Sequence, residues 1–191
     1  MAIGARLTSN MRENVSDEEL AIAAASGDGV AFSALLERHY DRIYRIAYRV
    51  VGTRAEAEDI TQDVCMGLGA KLAGFRGSAR LTTWLHRVVI NAARDHLRKR
   101  ATQTRAAGGW GEVEVMRRAE ADEGAKAQDW LHTAMTALSP SLRETVALIL
   151  GEDCTQADAA DALGVSEGTI AWRMAEVKKA LAAIAAEEGL A

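Results

Sequence analysis

The chain has 191 residues, of which 49% are hydrophobic, and a formal net charge of −4 at pH 7. This length suits one domain or two small ones, and the apolar content is sufficient for packed cores. No apolar run reaches the roughly 18 residues of a membrane span, and the N-terminus lacks the apolar core of a signal peptide. We therefore expect a cytoplasmic protein without membrane insertion. Because the balance of charge is acidic, any nucleic-acid role must rest on a local basic patch or on a larger partner.

The pattern of cysteines and histidines argues against metal chemistry. Cys65 and Cys154 are far apart, and the four histidines show no ligand spacing with them. Isolated residues of this kind form neither a disulfide framework nor a zinc signature. No nucleophile–base pair and no phosphate-binding glycine loop is evident. We expect no metal, no cofactor and no enzymatic activity.

Two helices are predicted at the start of the chain. The capping box Ser16-Asp17-Glu18-Glu19 opens a short helix that should stop near Gly27. Asp28 can cap the next helix, which should continue to about Gly52. We interpret the aromatic residues of its apolar stripe as core, and that stripe consists of Phe32, Leu35, Leu36, Tyr40, Ile43, Tyr44, Ala47 and Val51.

A third helix is predicted over about 54–73, after the capping box Thr53-Arg54-Ala55-Glu56. Its buried stripe is Ile60, Val64, Leu68 and Leu72. Another face carries residues at i, i+3, i+4 and i+7, namely Asp59, Gln62, Asp63 and Met66. Periodicity alone favours a solvated face over a partner surface for this acidic strip.

A helix predicted over 81–100 has an apolar face and a basic face. The apolar face consists of Leu85, Val89, Ala92 and His96. The basic face consists of Arg87, Asn91, Arg94 and Arg98, with Lys99 and Arg100 at the end. One interpretation is a solvated face with a charged cap, since cations at a helix C-terminus complement the macrodipole. The other is binding of single-stranded nucleic acid, which Trp84 and the Asn91 amide favour because unstacked bases need flat and hydrogen-bonding partners.

The segments on either side of this helix are predicted to be irregular. The preceding loop is Gly74-Phe75-Arg76-Gly77-Ser78-Ala79-Arg80, in which Phe75 could stack on a base or cap the core. Residues 101–127 are rich in alanine, glycine and charge and lack a sustained apolar stripe. We predict a linker there, with a helical portion around 112–121 and an isolated Trp110 that could dock on either neighbour.

The last third of the chain contains a helix-turn-helix pattern. An apolar pattern resumes at Trp130, Leu131, Ala134, Met135 and Leu138, and Ser139-Pro140 ends that helix and permits another. Within 155–181, Thr155 opens a capping box, Gly164 suits a left-handed cap, and Ser166 starts the second helix. The inward stripe of the second helix is Ile170, Met174, Val177, Leu181 and Ile184, which leaves outside Thr169, Trp172, Arg173, Glu176 and Lys179. Such corners are typical of DNA readers but also occur in plain helical domains.

Together these motifs resemble the extracytoplasmic-function class of bacterial sigma factors, in the sigma-70 family. Over 28–100 the resemblance rests on Asp28-x-x-Ala31-Phe32, on Ala57-Glu58-Asp59-x-x-Gln62-Asp63, and on Thr83-Trp84-Leu85 with Asn91, Asp95, Arg98 and Arg100. Over 129–185 it rests on Leu138-Ser139-Pro140 with Arg143, on Asp158-Ala159-Ala160-Asp161, and on Leu163-Gly164-Val165-Ser166-x-Gly168-Thr169-Ile170 with Arg173. Their order and spacing are more specific than any motif alone.

The resemblance implies an all-α protein with two small helical domains joined by a flexible linker. The expected boundaries are 1–27 for an N-terminal extension with a short helix, 28–100 for a region 2-like bundle, 101–127 for the linker, 128–186 for a region 4-like helix-turn-helix domain and 187–191 for a tail. The second domain departs from the family's usual pattern at Ala171, Trp172 and Glu176, and residues 139–186 are net acidic.

The resemblance also implies a function. A sigma factor would bind core RNA polymerase, recognise the −10 and −35 promoter elements, melt the −10 region, and be controlled by an anti-sigma factor. Core binding would use Asp59, Gln62, Asp63 and Met66. Single-stranded −10 DNA would contact Phe75, Arg76, Arg80, Trp84, Arg87, Asn91, Arg94, Asp95, Arg98 and Lys99. Double-stranded −35 DNA would contact Arg143, Ser166, Glu167, Thr169, Trp172, Arg173 and Lys179.

The competing hypothesis is a stand-alone helix-turn-helix transcriptional regulator. It would bind an operator through residues 129–186 and use residues 28–100 to sense a signal or to dimerise. Dependence on polymerase separates the two hypotheses, since a regulator binds duplex DNA alone whereas a sigma factor needs the core enzyme to expose its DNA surfaces.

Overall fold

The computed structural model describes residues 15–75, 77, 79–106, 133–150, 152 and 154–187. Every regular element in these ranges is helical, which confirms the all-α prediction. The helices are α1 Asp17–Ala25, α2 Gly29–Val51, α3 Arg54–Leu72, α4 Leu81–Ala106, α5 Pro140–Ile149, α6 Gln156–Leu163 and α7 Glu167–Glu187. Residues 133–137 are also helical. Trp110, Trp130 and the helical portion expected around 112–121 lie outside the described residues.

Helices begin where the sequence places capping side chains. Ser16 and Glu19 form a reciprocal capping box at α1, and Thr155 and Asp158 form another at α6. At α2, Asp28 Oδ1 accepts from two main-chain amides, at 2.9 and 3.1 Å. These contacts satisfy amides that would otherwise lack an intrahelical partner.

Two helices, α2 and α6, end at the glycines that the sequence predicts as their ends. A third helix, α4, extends beyond its predicted end. Gly52 after α2 and Gly164 after α6 have φ of 85° and 69°, a left-handed conformation that a β-carbon disfavours. Helix α4 continues to Ala106, so the first six residues of the predicted linker, 101–106, are helical. This overrun follows from residues 101–106 having neither glycine nor proline to end the helix.

Helices α1 to α4 form the first bundle, and its core combines much of the predicted apolar stripes with buried residues outside them, such as Leu20, Ile46 and Ile90. Of the stripe predicted for α4, Ala92 and His96 are only half-buried. Among its fully buried side chains are Leu20, Leu35, Ile43, Ile46, Ile60, Leu72, Leu85 and Ile90. The prediction that Tyr40 belongs to this core is wrong, because its side chain is 44% exposed. Tyr40 lies at the edge of the α2 stripe, where tyrosine can bury part of its ring and keep its hydroxyl in water.

The second domain comprises residues 133–138 and helices α5 to α7. Ile170 of α7 is fully buried, as expected for the anchor of the helix-turn-helix. Leu150, which follows the apolar face of α5, is 47% exposed. The helix ends at Ile149, and Leu150 adopts extended backbone angles that turn it out of the stripe.

The two domains pack against each other. Helix α2 contacts α5, and α4 contacts α6. One continuous apolar cluster includes residues of both domains, such as Ile43 and Leu85 from the first and Leu148 and Ala159 from the second. The sequence predicted the two domains but not this shared interface.

No helix in the described part of the chain combines the length and apolarity that crossing a bilayer requires. Within the same residues, no group of three or more histidine, cysteine, aspartate or glutamate side chains is arranged to hold a metal ion.

Candidate nucleic-acid interface

Helix α4 carries the predicted nucleic-acid face, and its opposite side is anchored in the first bundle. Leu85, Val89 and Ala93 are buried there at one-turn intervals. The amide of Leu81, at the helix start, donates to Glu18 Oε1 of α1 at 2.9 Å. Glu18 therefore fixes the N-terminal end of α4, a role that sequence reasoning missed because the two residues are 63 positions apart.

The aromatic residues beside α4 contact each other. The rings of Phe75 and Trp84 lie 5.5 Å apart with a 58° tilt, and both are half-buried against the core. This arrangement favours the interpretation of Phe75 as a core cap, with part of each ring still accessible. Gly77 has φ of 67°, which explains a glycine in the loop between them. The side chain of Arg76 lies outside the described residues.

The basic face of α4 is in contact with acidic residues of the second domain. Arg94 forms a bidentate pair with Glu144, with two nitrogen–oxygen distances of 2.7 Å. Arg87 donates to the Asp161 carboxylate at 2.9 Å and also to the Asp161 main-chain carbonyl. Two of the arginines predicted to bind −10 DNA are thus occupied by the protein itself.

A third contact lies at the start of α4. The Thr83 hydroxyl donates to Asp158 Oδ1 at 2.8 Å, and the Arg80 guanidinium lies 3.9 Å from Asp158 Oδ2. The hydrogen bond from Thr155 lowers the pKa of Asp158, and the contacts with Thr83 and Arg80 lower it further. Asp158 therefore stays charged while it caps α6 and contacts the first domain.

Other predicted −10 residues on α4 remain open to solvent. Asn91, Asp95, Arg98 and Lys99 are exposed, and Arg98 pairs with Asp95 of the same helix at 3.1 Å. Asn91 lies on the same face as Arg87 and Arg94. Asn91 is therefore exposed although the arginines on either side of it, Arg87 and Arg94, are paired to the second domain.

The C-terminal half of α4 is attached to α3 through Glu56. Its carboxylate accepts from Arg100 at 2.8 and 3.0 Å and lies 3.2 Å from His96 Nε2. Burial alone would raise the pKa of Glu56, but its bonds with Thr53 and Arg100 lower it overall. His96 was placed on the apolar stripe of α4, and the structure gives it this carboxylate partner.

A row of arginines on α2 was missed by the sequence analysis. Arg42, Arg45 and Arg49 follow at i, i+3 and i+7 and converge on Glu152, in the loop between α5 and α6. The nitrogen–oxygen distances are 3.2 Å from Arg42, 2.9 and 3.1 Å from Arg45, and 2.8 Å from Arg49. The available signal was the helical spacing of the arginines, but nothing in the sequence pointed to their carboxylate partner.

The Glu152 carboxylate is fully buried, with 0% of its side chain exposed. Burial alone would raise its pKa, but the hydrogen bonds from Arg45 and Arg49 lower it. A buried carboxylate is tolerated only when it is paired and hydrogen-bonded. Glu152 therefore depends on the first domain for the partners that keep it charged.

The acidic strip of α3 lies on the solvent side of the first bundle. Asp59, Gln62 and Asp63 are exposed, and Met66 is 76% exposed. Neither aspartate has an ion pair within the described ranges. The predicted face is therefore available to a partner, on a rigid helix whose other side is core.

Helix α7 presents most of the predicted −35 residues. Ser166 accepts from the Thr169 amide at 3.2 Å and so caps the helix. Glu167 and Lys179 are exposed, and Trp172 is 60% exposed. Arg173 is half-buried and lies 3.4 Å from the Thr145 hydroxyl.

Arg143, also predicted to contact −35 DNA, has a structural role here. Its guanidinium donates to the carbonyls of Met135, Thr136 and Leu138, at 2.8, 2.8 and 3.1 Å. It also donates to the Val50 carbonyl of the first domain at 3.2 Å. These bonds use four of the five N–H donors of the guanidinium, so both domains hold Arg143 in place.

Two family models match the chain in the order of its two domains. Residues 35–103 match sigma-70 region 2, and residues 128–181 match sigma-70 region 4. The first match includes the α3 strip and the predicted face of α4. The second includes α5, α6 and the part of α7 that presents the predicted −35 residues.

Curated relatives and solved structures agree with these matches. The chain is 31% identical over 171 residues to the ECF RNA polymerase sigma factor SigM of Mycobacterium tuberculosis, covering 90% of this chain and 85% of SigM. It is 29% identical to the ECF RNA polymerase sigma factor SigE of Mycolicibacterium smegmatis, covering 83% of this chain and 65% of SigE.

Among solved structures, the sigma factor RpoE in complex with the anti-sigma factor NepR from Bartonella quintana has a TM-score of 0.67 and 25% identity, over 80% of this chain and 95% of RpoE. A structure of CnrH in complex with the cytosolic domain of CnrY has a TM-score of 0.69 at 24% identity, over 88% of this chain and 96% of that chain, and supports the fold alone.

Proposed function

The chain belongs to the extracytoplasmic-function family of RNA polymerase sigma factors. We propose which of its helices bind the core polymerase, the −10 element and the −35 element. Sigma factors are transcription initiation factors and are generally not enzymes, so the proposal includes no catalytic step. The stand-alone regulator is not favoured, since the chain matches both region 2 and region 4 in the order that a sigma factor has them.

Helix α3 is the proposed surface for core RNA polymerase. The observation that carries this assignment is the exposed strip of Asp59, Gln62, Asp63 and Met66 on a helix whose opposite side is buried. Its carboxylates suit a basic partner surface, and an exposed methionine suits a protein contact because its flexible side chain adapts to irregular surfaces.

Helix α4 and the loop before it are the proposed surface for the single-stranded −10 element. The arginines supply charge for phosphates, Asn91 can hydrogen-bond a base edge, and the Phe75–Trp84 pair offers flat surface for an unstacked base. Recognition of a base that has left the duplex also accounts for aromatic side chains beside a basic helix.

Helix α7 is the proposed reader of the double-stranded −35 element. A recognition helix contacts base edges through residues near its N-terminus, which here are Ser166, Glu167 and Thr169. Arg173 and Lys179 follow along the same helix and supply positive charge.

Control by an anti-sigma factor is also proposed. RpoE of Bartonella quintana was solved with the anti-sigma factor NepR, and its fold covers most of this chain. An exposed tryptophan on α7 offers such a partner an anchor, as aromatic residues are enriched among interface hot spots.

The polymerase-binding surface can be tested by charge reversal. Asp59→Arg with Asp63→Arg should abolish core binding in a fluorescence titration and leave helicity and melting temperature nearly unchanged, since both side chains are exposed. A matched control is Glu37→Arg with Asp41→Arg, which makes the same charge change with the same i, i+4 spacing on the exposed face of α2. Unaltered core affinity in the first variant would remove the assignment.

A further inference from the structure

Helix α4 begins after a residue whose side chain cannot cap it. That residue is Arg80, whose carbonyl accepts the first intrahelical bond from the Trp84 amide at 3.1 Å. A guanidinium contains only hydrogen-bond donors, so the Arg80 side chain cannot accept from the amides of the first turn. The acceptor comes instead from α1, where Glu18 Oε1 accepts from the Leu81 amide at 2.9 Å.

We propose that Glu18 is a positioning residue for the −10 surface, because its carboxylate fixes the point at which the loop before α4 ends and the helix begins. This inference rests on the proposed function of α4 and of that loop. It adds to the surface a residue of the N-terminal helix α1, outside the residues 35–103 that match sigma-70 region 2. In this role Glu18 acts through the backbone of α4 and not by contact with DNA.

Glu18 can hold α4 in place because α1 is itself fixed on the first bundle. Leu20, two residues further along α1, is fully buried. Arg38 of α2 donates to the Asp17 carboxylate at 2.9 Å and to the Val15 carbonyl at 2.8 Å. The Glu18 carboxylate therefore extends from a helix that both apolar and polar contacts attach to the bundle.

The bond to Glu18 lies beside the aromatic pair that is proposed to contact an unstacked base. Leu81 is 2% exposed, and three residues after it the ring of Trp84 lies 5.5 Å from the ring of Phe75. At the other end of the loop, the Phe75 amide donates to the Leu72 carbonyl of α3 at 2.9 Å. The loop is thus held at both of its ends, and binding groups on a loop depend on such support for their positions.

The bond between Glu18 and Leu81 lies entirely within the first domain. It differs in this respect from the pairs of Arg87 and Arg94, whose partners belong to the second domain. A carboxylate at a helix N-terminus also complements the positive end of the macrodipole. Because Leu81 is buried, removal of Glu18 would leave its amide short of a partner, and we expect the first turn of α4 to loosen.

Three substitutions of Glu18 separate the reach of the side chain from its charge. Glu18→Ala removes the acceptor, Glu18→Asp keeps the charge on a side chain one methylene shorter, and Glu18→Gln keeps an acceptor oxygen at the same reach. The first two variants should lose the bond to the Leu81 amide, and the third should retain it. Amide hydrogen exchange at Leu81 should accordingly be faster in the first two variants than in Glu18→Gln and the parent.

The functional measurement is sequence discrimination in the complex with core polymerase. Single-stranded oligonucleotides are selected from a random library with the parent complex, and the affinity for a selected oligonucleotide is divided by that for a scrambled one. Glu18→Ala and Glu18→Asp should lower this ratio on the order of tenfold, the effect of one lost charge-assisted hydrogen bond. Glu18→Gln should keep the ratio. The affinities for the scrambled oligonucleotide and for core polymerase should not change, since the arginines of α4 and the α3 strip are intact.

Glu19→Ala is the matched control. Glu19 is the next residue of α1, and its carboxylate bonds with Ser16 in the capping box of the same helix, at 3.0 and 2.9 Å. The substitution therefore weakens α1 but leaves the bond from Glu18 to α4, so the ratio should be kept. An equal fall of the ratio in Glu19→Ala and Glu18→Ala would reveal a general effect of α1 stability and overturn the proposal.

Trp84→Ala separates failure of this inference from failure of the proposed function. If the ratio falls in Trp84→Ala but not in Glu18→Ala or Glu18→Asp, the role of Glu18 is refuted and the −10 assignment of α4 stands. If Trp84→Ala keeps the ratio, the −10 assignment is refuted together with the inference. Should Glu18→Ala fail to fold, the comparison of Glu18→Asp with Glu18→Gln decides, since both keep a polar side chain in α1.

Discussion

His86 is a buried residue close to charges of both domains. Its side chain is 2% exposed, and neither ring nitrogen has a hydrogen-bond partner among the described residues. Burial lowers its pKa from 6.5 to about 4, and Arg42 contributes to the lowering while Glu152 and Asp158 oppose it. The imidazole is therefore neutral in the folded protein at neutral pH.

We expect His86 to reduce stability as the pH falls from 6.5 towards about 4. In this window the unfolded chain binds more protons than the folded chain, so the free energy of unfolding decreases with falling pH, by at most about 3 kcal/mol. His86→Leu should remove this part of the pH dependence. Urea unfolding of parent and variant across the window measures it, and identical slopes in the two proteins would refute the prediction.

Trp172 is a large aromatic residue on the outer side of α7. Its 60% exposure agrees with the expectation that the inward stripe is complete without it. It could contact sugars or thymine methyl groups of −35 DNA, or anchor an anti-sigma factor. Glu176, one turn after Trp172 on α7, disfavours close tracking of phosphates there and favours the anchor.

Trp172→Ala should therefore leave basal transcription intact and weaken inhibition by the anti-sigma factor. Truncation of a hot-spot aromatic costs about 2 kcal/mol or more, on the order of thirtyfold in affinity. Leu150→Ala is the control, since Leu150 is another exposed apolar residue of the same domain. Equal inhibition of parent and Trp172→Ala would exclude the anchor.

At the scale of elements, α4 has one face buried in the first bundle and an exposed face that is proposed to contact DNA. Leu85, Val89 and Ala93 fix the helix in the first bundle, so the positions of Asn91 and Arg98 on the exposed side are also fixed. Neither of these two side chains forms a hydrogen bond or an ion pair with the second domain within the described residues. Their substitution therefore reports on DNA contact without breaking an ion pair between the two domains.

Asn91→Ala should keep core binding and weaken open-complex formation. Loss of one specific base contact costs about 1–3 kcal/mol, and permanganate footprinting of the −10 region measures the melting. Arg98→Ala should instead lower the affinity for DNA of any sequence and make that affinity less dependent on salt concentration, because the substitution removes a charge that contacts phosphates. Normal melting of the −10 region by the Asn91→Ala variant would contradict the proposal that Asn91 contacts a base.

At the scale of the whole molecule, the domain interface pairs basic residues of the first domain with acidic residues of the second. The α3 strip remains exposed while Arg87 and Arg94 of α4 are paired to the second domain. If α3 and α4 have their proposed roles, the proposed polymerase surface is open in the free chain while part of the proposed −10 surface is paired to the second domain. A partner that separates the domains would expose the covered arginines of α2 and α4 together.

Local features of this protein could be predicted from its sequence. The capping boxes of α1 and α6, the glycines that end α2 and α6, the buried stripe of α3 and the exposure of the α3 strip all depend on residues within a few positions of each other. Helical periodicity and capping are short-range effects, which explains why these expectations were confirmed. Family membership was also accessible, as its motifs are contiguous in the chain.

Only the tertiary structure showed which charges pair across the two domains. Glu152 lies more than 100 positions from each of its three arginine partners, and Arg94 lies 50 positions from Glu144. No periodic pattern connects residues so far apart, because their proximity depends on how whole helices pack. For that reason the sequence identified a basic face on α4 and a net acidic second domain, but their mutual contact became evident only in the folded chain.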